Sequence, residues 1–87
     1  MKEEEREKEI ERLLGLYKEE KIKNQTKIRM LKLALFYFGK SLKKEDKENL
    51  LKDIQTCEKT LDLIDRKINA LLEELRILRR YRFYKPL

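Results

Sequence analysis

The 87-residue sequence contains no histidine and no tryptophan, with one cysteine, one proline and two glycines. Each shortage removes a class of protein. Without histidine, and with Cys57 alone, no zinc site of nitrogen and sulfur ligands can be assembled and no intramolecular disulfide can form. Imidazole chemistry is absent, and there is neither a glycine-rich phosphate loop nor a nucleophile beside a recognisable base. No catalytic, metal or cofactor site is expected, and the chain reads as a non-enzyme. The longest apolar run, Leu33 to Phe38, is far too short to cross a bilayer. The opening Met-Lys-Glu-Glu-Glu lacks the apolar stretch of a secretory signal. A soluble cytoplasmic protein is expected, with no transmembrane segment, and contact with a membrane surface is the least favoured of its readings.

What is abundant is charge: 46% of the residues are Asp, Glu, Lys or Arg, against 40% apolar. That balance belongs to the long-helix class, and the apolar share is too high for a disordered chain. The charges fall into four blocks of alternating sign. Residues 1–20 are net acidic, and residues 21–44 hold eight bases and no acid. Residues 45–74 are again net acidic, and residues 75–87 hold five bases and no acid. Folding back near residue 42 sets each acidic block beside a basic one. Facing edges of opposite sign favour an antiparallel helical hairpin.

The apolar spacing predicts the same architecture. In the second half, Leu50, Ile54, Cys57, Leu61, Ile64, Ile68, Leu71, Leu75 and Leu78 follow one another by fours and threes, an unbroken heptad seam. It predicts a helix over about 45–82, capped at its start by Asp46 or Ser41 and stopped by Pro86. A first helix is expected over about 3–38. Its seam opens with Ile10, Leu14 and Tyr17, is interrupted by Lys21 and Asn24, and resumes with Ile28, Leu31, Leu35 and Phe38. Polar residues at such positions set register at some cost in stability. Gly15 weakens a helix interior by about 1 kcal/mol relative to Ala, for which close approach of a partner helix is one reason. Gly39 is placed as a left-handed C-cap, and residues 39–45 form the turn. Leu35 should then lie near Leu50, Ile28 near Cys57 and Leu14 near Leu71. The whole chain, 1–87, is one all-α helical-hairpin domain of coiled-coil type. Two helices leave the seam half open, and off-seam apolar residues including Leu13, Leu16, Ile22, Met30, Leu33 and Phe36 require a cover. A second copy would supply one, giving a homodimeric four-helix bundle.

Three stretches invite a functional reading. Cys57 lies in the seam, where a small buried hydrophobe is the ordinary role. The basic segment Lys21, Lys23, Lys27, Arg29 and Lys32 has the makings of a phosphate-contacting strip on DNA or RNA. It also has the form of a basic amphipathic helix for an anionic membrane. Alternatively it answers Glu45, Asp46, Glu48, Asp53 and Glu58 across the hairpin. The tail 79–87 concentrates bases and rings. Arg76, Arg79, Arg80, Tyr81, Arg82, Phe83 and Tyr84 are the candidate partner-binding residues, by stacking on bases, by docking on an acidic protein groove, or by neither, serving only to offset the acidic N-terminus.

Two resemblances bear on these readings. Leu61-Asp62-Leu63-Ile64-Asp65-Arg66-Lys67-Ile68-Asn69-Ala70-Leu71-Leu72 resembles the first helix of the all-helical chorismate mutases. Glu58, however, stands where that family has a substrate-holding arginine, and the family's third helix has no counterpart, so that activity is not expected. The stretch Leu72-Glu73-Glu74-Leu75-Arg76-Ile77-Leu78-Arg79-Arg80-Tyr81-Arg82-Phe83-Tyr84 resembles part of the phage late-transcription regulators of the RinA/ArpU type. Those run a charged helical region into a leucine-arginine-tyrosine segment ahead of a helix-turn-helix. The resemblance implies a small regulatory protein of a phage or mobile element. The helix-turn-helix has no counterpart, so sequence-specific DNA reading is not carried over. The expected function is that of a non-enzymatic interaction or regulatory protein that binds a partner protein. The alternative is a nucleic-acid-binding protein contacting backbone phosphates.

Overall fold

A computed structural model describes residues 2–84, with side chains as far as Arg82. Two helices make up the fold: α1, Lys2–Phe38, and α2, Lys44–Tyr84. They pack on each other as an antiparallel hairpin about 69 Å long and only 15 by 14 Å across. Both helices begin with acids, Glu3, Glu4 and Glu5 in α1 and Glu45 and Asp46 in α2. Negative charge there offsets the positive end of each helix dipole.

The turn satisfies the end of α1 without a left-handed residue. Gly39 N–H donates to the Leu35 carbonyl at 2.9 Å, and Ser41 and Leu42 N–H both donate to Phe38 O, at 2.9 and 3.1 Å. Gly39 does not take the expected positive φ. Its lack of a side chain matters sterically, because a Cβ there would run into the Leu35 carbonyl oxygen. Neither expected cap starts α2 either. The helix begins at Lys44, so the cap position falls on Lys43, whose carbonyl accepts from Lys47 N–H at 3.0 Å.

The seam forms as its spacing dictates. Ile10 and Leu14 of α1 pack with Ile64, Ile68 and Leu75 of α2, and Tyr17, Leu71 and Leu78 lie against this cluster. Leu14 and Leu71 thus meet in one cluster, as expected. Nearer the turn, Ile28, Ile54 and Cys57 are buried, while Leu31, Leu35 and Leu50 are half-buried. Phe38, expected to continue the seam, is exposed. The helix ends at that residue, so there is no further turn of helix to enclose its ring.

The two polar seam positions behave differently. Lys21 reaches across to Asp65, with Nζ 2.7 Å from the carboxylate, and so ties α1 to α2 at one register. The Asn24 amide instead donates to the Glu20 carbonyl one turn earlier on its own helix, so it contributes nothing across the interface. Gly15 has nothing within 4 Å of where a Cβ would stand. Within one hairpin no close helix approach explains it.

Candidate interaction surface

The open end of the hairpin is where the charge blocks meet. Glu7, whose side chain is only 13% exposed, accepts from Arg79 Nε at 2.9 Å and also pairs with Arg82. Arg79 reaches Glu11 as well, at 3.2 Å, and Arg6 pairs with Glu74 through both Nε and a terminal nitrogen. These contacts shift the groups in the direction their chemistry requires. The hydrogen bond from Arg79, with the nearby charge of Arg82, holds the Glu7 carboxyl below the usual carboxylate range. Arg6 does the same to Glu74. Glu7 and Glu11 of the acidic first block and Arg79 and Arg82 of the basic last block are therefore spent on each other.

That accounts for much of the predicted recognition tail. Arg79 and Arg82 belong to these ion pairs, and Arg76 bonds Glu73 one turn back. Arg80 and Tyr81 are exposed, and Arg80 has no ion pair among the described residues. The predicted roles of the Phe83 and Tyr84 side chains, and of Lys85 to Leu87, lie outside what is described. The tail is not a free cationic arm along Arg76 to Arg82 but one wall of the hairpin's open end.

The half nearer the turn is different. Lys21 pairs with Asp65 and Lys23 approaches Glu20 at 4.0 Å. No ion pair of Lys27, Arg29 or Lys32 occurs among the described residues. The acids expected to answer them, Glu45, Asp46, Glu48, Asp53 and Glu58, form none either. A basic strip on α1 thus stays open to solvent. Beside it stand Met30, 65% exposed, Leu33, Phe36 at 81%, Tyr37 at 70% and Phe38. Phe36 and Tyr37 meet edge to face, with ring centroids 5.2 Å apart. Outside the seam, Met30, Leu33, Phe36 and Tyr37 are therefore exposed, as any docking through them requires. The sequence places candidate phosphate contacts on this strip and Met30, Leu33 and Phe36 off the seam, but it sets Phe38 in the seam and the partner-binding residues in the tail. The signal was present in the absence of acids between Lys21 and Lys44 combined with the run of aromatics before Gly39.

Chemically, this surface offers exposed bases beside exposed apolar side chains. Cys57 is buried and unpaired. Among the described residues, no cluster of His, Cys, Asp and Glu could hold a metal, and no helix is long and apolar enough to cross a membrane. On α2, Leu63 and Ile77 are exposed outside the seam. Lys67 lies over the Tyr17 ring, 5.5 Å from its centroid, so it is held against the hairpin. No family model, curated protein or solved structure matches the chain.

Proposed function

We propose that this chain is a non-enzymatic interaction protein, a rigid helical rod that self-associates and acts by occupying the surface of a partner protein. The observation that carries this reading is the exposure of Met30, Leu33, Phe36, Tyr37 and Phe38 on a helix already anchored by its opposite face. Contiguous exposed apolar groups of this kind mark interaction sites, and aromatic residues are the usual anchors of such sites. The resemblance of residues 72–84 to phage transcription regulators fits a regulatory role exercised through protein contacts.

The test is affinity capture from a cell lysate. Wild-type chain should retain a partner that the variant L33D/F36D, equally helical, releases. Equal retention by both would remove the surface from the account.

One observation favours a second reading. The unpaired Lys27, Arg29 and Lys32 are free to contact a nucleic-acid backbone, with Phe36 exposed beside them. Phosphate neutralisation makes affinity fall linearly with salt on logarithmic axes. A DNA or RNA complex with that slope, abolished by K27A/R29A/K32A, would put this reading first.

A further inference from the structure

We propose that a second copy of this chain packs antiparallel along one flank of the hairpin, α1 against α1, to complete a four-helix bundle. This rests on the self-association in the reading above and specifies its surface and orientation.

The area requires a cover. A compact protein of 10.7 kDa exposes about 5,500 Å², whereas this hairpin exposes 7535 Å². The difference is on the order of 2,000 Å², against roughly 800 Å² per partner in a standard interface.

The exposed apolar side chains are not spread evenly around the rod. Outside its seam, α1 carries a second stripe at steps of three and four residues. Leu13 and Leu16 stand near its start, Glu20, Lys23 and Lys27 in its middle, and Met30, Ala34 and Tyr37 toward its end. Leu13 borders a hollow shared with Lys67 and Ala70 of α2, which places this stripe and that edge of α2 on one flank. Leu63, Ala70 and Ile77 recur at seven-residue intervals along the same edge. A helical stripe of this spacing is what a coiled-coil seam needs.

The stripe is self-complementary in one direction. A two-fold axis crossing α1 near Gln25 sets Leu13 against the partner's Tyr37 and Leu16 against the partner's Ala34. It also sets Glu20 against the partner's Met30, within one turn of the partner's Lys27, which Lys23 faces. This is the reciprocal contact that an isologous interface demands.

Charge selects the same orientation. Residues 21–61 hold eleven bases and five acids, which is the entire net charge of +6; the rest of the chain is neutral overall. A dimer with its turns together would stack +6 on +6. The antiparallel arrangement keeps only residues 21–29 of the two basic blocks face to face and lays residues 30–38 over the partner's residues 12–20, which are neutral overall, so the like charge is spread rather than stacked.

The experiment uses the full chain carrying C57A and one nitroxide label, introduced as T26C or as S41C; both positions are exposed. Antiparallel packing predicts a T26C pair within about 25 Å, two helices apart. The S41C pair should lie at about 45–50 Å, given 1.5 Å of rise per residue from the centre. Short distances at both positions mean turns together and overturn the orientation. In parallel, L16E/M30E should halve the mass seen by light scattering without loss of helicity, while L51E/L72E, off this flank, should leave the dimer intact. The reverse result would overturn the flank but leave self-association standing. A wild-type chain that is monomeric at every concentration, including one recruited as a monomer to phosphatidylserine vesicles, would overturn both.

Discussion

Glu7 is the residue on which the open end turns. Its nearly enclosed carboxylate serves Arg79 and Arg82 together, so E7Q should lower the melting temperature at pH 7 more than E4Q, which removes an exposed acid from the same turn. A circular-dichroism melt checks this, and equal melting would mean that the ion pairs are ornamental, as many surface pairs are. The triple change R79A/R80A/R82A should loosen this end of the rod as well as remove the tail's charge, so it does not isolate partner binding. The two glycines give opposite expectations. G39A drives a Cβ into the Leu35 carbonyl and should destabilise by about 1–3 kcal/mol. G15A meets open space and should stabilise by about 1 kcal/mol through helix propensity. A destabilising G15A in denaturant unfolding would reveal a partner pressed against that point.

At the scale of the helices, both elements and their seam were legible because a four-three apolar spacing has few other interpretations. The helix limits came out within two residues. What could not be read was how long charged side chains choose partners. The bases of residues 21–32 and the acids of residues 45–58 have opposite signs, yet among the described residues no ion pair joins them, and Lys21 pairs with Asp65 instead. Sign alone does not bring side chains on outward faces within reach. The role of Gly39 was likewise hidden, since a missing Cβ serves a close backbone approach as well as a left-handed cap. The seam cluster should follow ordinary core energetics: I64A should cost about 2–5 kcal/mol in chemical denaturation. The cross-helix acids add a pH dependence. Arg79 lowers Glu7 and Arg6 lowers Glu74, so in the folded state they stay charged to lower pH than in the unfolded chain. Their stabilisation is complete above the unfolded carboxyl value of about 4.3 and is lost as the pH falls through their lower folded values. Melts between pH 6 and pH 3 should show the decline, and E7Q should flatten it.

For the whole molecule, a thin rod with one seam buried leaves more surface than a compact chain of its mass. Its net charge is confined to the half nearer the turn. The candidate surface was only partly legible for this reason. The basic-aromatic tail stood out in composition, but folding back places its arginines against the N-terminal acids. The quieter stretch Lys27 to Phe38 has no such counterpart and stays open. The proposal that this fold serves association, with the chain as scaffold and its outer faces as contacts, rests on both consequences. Light-scattering mass across a concentration series, with and without a short mixed-sequence DNA duplex at low and moderate salt, tests that most directly. The account predicts twice the 10.7 kDa chain mass, unchanged by DNA. A monomer that forms a salt-sensitive complex with the duplex would contradict it.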